Sequence, residues 1–132
     1  MKKIVIVLIL ALAGLTSNAQ TFWYQAHEFA YKIKNNDKWT GWSDWRPSSI
    51  KIMIDVDSDI IKIFSDINQT YNVVQHVEDY TDDSGGQQAK FRVVDQDGDR
   101  GTIRLRVEKN SNSQLYVEYA DVMFVYSGLE KL

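Results

Sequence analysis

Two segments, Asp55-Val56-Asp57-Ser58-Asp59 and Asp95-Gln96-Asp97-Gly98-Asp99, each place three carboxylates at alternate positions. Clustered oxygen donors are what calcium takes, and a helix-flanked calcium loop adds Gly at its sixth position and a bidentate Glu at its twelfth. Counting from Asp95, those positions hold Arg100 and Arg106; counting from Asp55, they hold Ile60 and Asp66. Both segments miss the motif. Asp97-Gly98 is instead a two-residue hairpin signal, because such a turn needs positive φ at its centre. Asp57-Ser58-Asp59 is rich in side chains that bond their own backbone in tight turns. Both triads are therefore read as hairpin tips with no metal. The metal-binding alternative is an irregular calcium cage gathered from neighbouring tips, with Asp82 and Asp83 as further donors.

The second stretch with chemistry in it is Trp39-Thr40-Gly41-Trp42-Ser43-Asp44-Trp45-Arg46. A spacing of three suits neither a strand nor a straight helix. Packed indoles would fill one end of the fold, with an arginine stacked over an indole face. Exposed indoles would form a platform for a glycan or a small apolar ligand. The candidate ligand-binding residues are Trp39, Trp42, Trp45 and Arg46, with Trp23, Tyr24, Phe29 and Tyr31 expected nearby across the first hairpin. The run resembles the W-x-x-W-x-x-W run of thrombospondin type 1 repeats, in which tryptophans interleave with arginines of a neighbouring strand. On that resemblance, Arg104 and Arg106 would supply the arginine strand. Those repeats depend on disulfides and this chain has no cysteine, so the resemblance stops at these eight residues.

Catalytic patterns are missing. His27 and His76 are the only histidines, neither has a ligand partner at metal spacing, and no cysteine nucleophile exists. No catalytic residue is assigned and no cofactor is implied. The expected function is a secreted, non-catalytic binding module for an unknown small molecule or glycan. The alternative is a protein–protein module such as an inhibitor, an adhesin or an envelope assembly component. An enzyme without a readable motif ranks third.

The elements that must position these residues are strands. Ile50, Ile52, Ile54 and Val56 alternate with polar neighbours, as do Phe91 and Val93, and Ile103, Leu105 and Val107. Such alternation marks strands with one buried and one wet face. Turn residues divide the chain into about eight strands: Phe22–Lys34, Trp39–Trp45, Ile50–Val56, Ile60–Ser65, Thr70–Asp79, Gln88–Asp95, Thr102–Lys109 and Leu115–Tyr126. Short connections predict an antiparallel meander, which removes its edges by closing into a small barrel. A β-sandwich is the alternative. In the last strand Leu115, Val117 and Tyr119 are out of phase with Val122, Phe124 and Tyr126, which predicts a bulge or bend near Ala120-Asp121.

The N-terminus reads as a secretory signal peptide: Lys2-Lys3, an apolar run from Ile4 to Leu15, and Ser17-Asn18-Ala19 as a cleavage pattern. Cleavage after Ala19 would leave residues 20–132 as one domain, secreted or periplasmic, with no membrane anchor. The chain carries 18 acidic against 15 basic residues, and loss of the signal removes two lysines. That balance argues against nucleic acid and anionic membrane surfaces. In signal, length, lack of cysteine and strand-rich body the chain is similar to uncharacterised small secreted β-rich proteins of Gram-negative bacteria.

Overall fold

The structure is a computed structural model that describes residues 21–83, 85–108 and 113–132. The expected signal peptide and most of the expected turn at 110–113 lie outside the described residues. Ten strands are formed: β1 (Thr21–Asn35), β2 (Lys38–Trp39), β3 (Arg46–Asp55), β4 (Ile60–Phe64), β5 (Asn68–Thr81), β6 (Gln87–Asp95), β7 (Arg100–Val107), β8 (Gln114–Glu118), β9 (Val122–Ser127) and β10 (Glu130–Lys131).

Eight of them, β1 and β3 through β9, make an antiparallel meander that closes when β9 pairs with β1. The expected barrel forms, and the sandwich does not. Closure depends on β1, which pairs with β3 along its first half and with β9 from Glu28 to Ile33. The β1–β3 register shifts between Ala26 and Glu28, where Ser48 and Ser49 of β3 stand opposite His27, close to where the pairing with β9 begins. The short strands β2 and β10 attach to β1 alone.

Alternate residues of every barrel strand point inward. Tyr24, Ile52, Ile63, Ile103, Leu115, Val117 and Tyr126 are all at most 1 % exposed. Each such burial stabilises the fold by about 1.5–3 kcal/mol. The interior is filled: the cavity between Ile54, Ile61, Phe91 and Leu105 measures about 30 Å³, room for about one water. A barrel of eight strands is just wide enough for its own side chains to fill it, and here they do.

The barrel has the eight strands expected, two further short strands are added, and two of the eight assignments differ. Only Lys38–Trp39 of the tryptophan segment is a strand. The phase change near Ala120-Asp121 is a chain reversal, not a bulge: Tyr119 N–H donates to the Val122 carbonyl (2.8 Å) and β8 pairs with β9. Two bulges lie in β5. Extra residues at Val74 and Val77 shift its register against β6, so that Tyr71, Val73 and His76 face Asp95, Val93 and Phe91 across the ladder.

Both aspartate triads are hairpin tips. Asp59 adopts φ 54° and Gly98 φ 86°, the left-handed conformations those turns require. The Asp95 carboxylate clasps its own turn, accepting the N–H groups of Asp97 and Asp99 at 2.9 Å each. Its second oxygen accepts the Tyr119 hydroxyl at 2.8 Å. That hydroxyl, first, and the turn amides hold the Asp95 carboxyl below the usual carboxylate range, against the opposing effect of desolvation. The β3–β4 and β6–β7 turns point in opposite directions along the wall, with β4 and β5 between them.

Candidate ligand site at the barrel mouth

The tryptophan segment follows a hairpin whose Asn36 and Asp37 take φ 50° and 64°. Beyond Trp39 the chain leaves the strand conformation yet continues to bond β1. Thr40 N–H donates to the Ile33 carbonyl and Ser43 N–H to the Tyr31 carbonyl, both at 2.8 Å. In return, the N–H groups of Ile33 and Tyr31 donate to Thr40 Oγ1 (3.1 Å) and Ser43 Oγ (3.0 Å). Two hydroxyls three residues apart stand where a strand would offer carbonyls two residues apart. Every three-residue step of the segment therefore matches a two-residue step of β1. That is the physical origin of the threefold tryptophan spacing.

The indoles project over cations. Lys32 Nζ lies 4.7 Å from the Trp42 ring centre and 5.4 Å from that of Trp39, and Lys34 Nζ lies 5.8 Å from Trp39. Trp42 also meets Tyr116 edge-on at 6.2 Å, and the Arg104 guanidinium stacks on Tyr116 at 3.9 Å. Ala30 and Val125 belong to the cross-strand row of Tyr116 and lie outside the barrel core, yet both are at most 2 % exposed. Trp42 reaches this row through Tyr116. The interleaved cations come from β1, not from the arginines expected on β7. Arg104 goes to Tyr116 and Glu118, and Arg106 pairs with Asp82 and Glu108. Trp45 is 47 % exposed, and no ring contact or cation engages it among the described residues.

The four candidate residues are thus divided. Trp39, Trp42 and Trp45 belong to the outer wall. Arg46 faces Phe29 across the β1–β3 ladder and places its guanidinium 5.6 Å from the Tyr31 ring centre, at the rim of a concavity of about 680 Å³. Of the neighbours expected for the indoles, Tyr31 is present and Phe29 lies opposite Arg46. Trp23 and Tyr24 do not take part: they pair with Met53 and Ile52, and Trp23 stacks on Phe64 at 5.7 Å.

That concavity is the open end of the barrel. Its floor is aromatic: Phe29 lies 6.0 Å from Phe124 and 5.4 Å from Tyr126, ring centre to ring centre. Gln69 stitches the base together, donating to the Tyr126 hydroxyl at 3.2 Å and accepting from the Tyr71 hydroxyl. Burial pushes the Tyr126 hydroxyl up to about 12, so it stays protonated at neutral pH. The Ser48 hydroxyl, in the same lining, is shut off from solvent without a hydrogen-bond partner in the protein. No carboxylate pairs with Arg46 among the described residues. The mouth thus offers ring faces and one guanidinium without a carboxylate partner. Phe29, Ser48, Phe124 and Tyr126 come from three strands far apart in sequence, which is why the sequence reading did not assemble them.

His76 bonds Asp79 at 2.7 Å and packs on Phe91, but no hydroxyl nucleophile bonds its imidazole among the described residues. Comparison with protein-family models, curated proteins and solved structures finds no match for this chain.

Proposed function

We propose that the protein is a non-catalytic binding module that holds one small ligand in the barrel mouth. The ligand lays a flat apolar face on Phe29, Phe124 and Tyr126 and presents an acceptor, a carboxylate or a carbonyl, to Arg46. The observation that carries this reading is the pairing of an aromatic-floored concavity with the Arg46 guanidinium at its rim, which meets no carboxylate among the described residues. Mouths of β-barrels are among the common sites for such ligands, which need a largely apolar wall and a few convergent polar groups. The outer indoles are the weaker candidates, since Lys32 and Lys34 already occupy faces of Trp39 and Trp42.

Calorimetric titration with naphthoate, as a flat carboxylate, and with cellobiose, as a sugar, tests the proposal. Naphthoate should bind, and Arg46→Ala or Phe124→Ala should each weaken it by about tenfold, or 1.4 kcal/mol. Cellobiose binding that Trp45→Ala abolishes would return the function to the outer indoles.

The second reading is a protein–protein module. It draws on the stacked pair Trp23 and Phe64, 40 % and 37 % exposed on the outer wall. Light scattering and cross-linking of the purified protein, before and after Trp23→Ser, would expose self-association through that pair.

A further inference from the structure

The outward positions of β6 and β7 carry Lys90, Arg92, Arg100, Arg104 and Arg106. Alternation has gathered five cations onto one face of a chain whose net charge is negative. Two of them are matched: Arg104 meets Glu118 and Arg106 meets Asp82 and Glu108. Lys90, Arg92 and Arg100 form no ion pair among the described residues. Glu78 is the register partner of Lys90 but does not reach it. These three cations line an open groove of about 630 Å³ on the outer wall, separate from the mouth.

The far bank of the groove is apolar. Val74 and Val77 are the extra residues of the two β5 bulges, 60 % and 37 % exposed. A bulge re-aims side chains, and bulges cluster beside functional sites. Here both add an uncovered valine opposite unpaired cations. A purely ionic ligand would have no use for the valines, and a purely apolar one would leave the cations unanswered.

We propose that this groove binds a single anionic amphiphile. Its phosphate-like headgroup sits among Lys90, Arg92 and Arg100, and its hydrocarbon chain lies along Val74 and Val77. Occupation is by one molecule and not by a bilayer, because the excess of acidic residues over the rest of the surface repels an anionic membrane at distances beyond the groove.

The test is an amide NMR titration with octyl phosphate below its micellar concentration, alongside inorganic phosphate and octyl glucoside. Octyl phosphate should shift amides of β5, β6 and β7 with a Kd at least about tenfold below that of inorganic phosphate, and octyl glucoside should leave them unmoved. The double substitution Lys90→Gln, Arg92→Gln should raise the octyl phosphate Kd by about tenfold or more. Val74→Ser should raise it by a few fold and leave inorganic phosphate binding unchanged. All these side chains are exposed or half-buried, and an unchanged far-ultraviolet circular dichroism spectrum would verify folding. Equal affinity for octyl and inorganic phosphate would overturn the proposal, as would shifts confined to the mouth. So would tighter binding to phosphatidylglycerol vesicles, or to a sulfated oligosaccharide, than to the monomeric amphiphile.

Discussion

Two parts of the outer wall use the same materials to different ends. Over β1, β9 and β8, lysines alternate with indoles, the ring faces meet cations, and Ala30 and Val125 are buried. Over β5, β6 and β7, Lys90, Arg92 and Arg100 stand opposite the exposed Val74 and Val77, and no ion pair answers these three cations among the described residues. The first surface has its interactions satisfied internally and acts as structure. The second leaves desolvation and charge unspent, which is the condition for binding something else. Unusual residues alone do not mark a site; what marks it is whether their interactions are already made.

The largest expected effect would break the first surface. Trp42→Ala removes the Lys32 and Tyr116 contacts of a side chain that is itself 42 % exposed, so it should cost about 1–2 kcal/mol. At this chain length that lowers Tm by roughly 4–10 °C. Trp45→Ala, three residues on, should cost less than about 0.5 kcal/mol, as an exposed side chain without partners does. Thermal melts of the two variants compare them directly, and equal losses would erase the distinction between contact and bystander.

A smaller effect concerns Tyr119, which lines the open groove and is held there by Asp95. Tyr119→Phe should lower Tm by a few degrees, since a single hydrogen bond is lost. The pH dependence has a definite sign. Because the folded Asp95 carboxyl titrates below its ordinary range, it binds its proton more readily in the unfolded chain. Its contribution is therefore present above the ordinary carboxylate pKa and lost as pH falls through the lowered folded value. Acid titration of stability should be steeper in the parent than in Tyr119→Phe. The smallest effect is on the second surface: Lys90→Gln with Arg92→Gln should change stability by less than about 0.5 kcal/mol without ligand. A larger loss would mean that those cations do have structural work.

Much of this was legible in the sequence because closure of a meander follows from local patterns. Ile50 to Val56 and Ile103 to Val107 alternate as their burial does, and Asp97-Gly98 marks its turn. Failures came where backbone geometry broke the period of two. In β5 the inward set runs Tyr71, Val73, His76, because each bulge adds a residue that no composition rule announces. The phase change at Ala120-Asp121 was visible, but a reversal and a bulge shift phase alike. The tryptophan spacing was noticed without its cause, which lies in Thr40 and Ser43 replacing backbone acceptors of β1's N–H groups. The mouth was invisible for another reason: Phe29, Ser48 and Phe124 meet only when β9 returns to β1. Net charge concealed the basic groove, since an average over the chain says nothing about which face holds the cations.

The central claim is that the ligand goes to the mouth and not to the indoles. Amide and indole NMR shifts recorded while naphthoate is titrated into the protein test it most directly. The account predicts shifts at Phe29, Arg46, Ser48, Phe124 and Tyr126, with the indole signals of Trp39, Trp42 and Trp45 unmoved. Shifts centred on those three indoles, with the mouth silent, would contradict it.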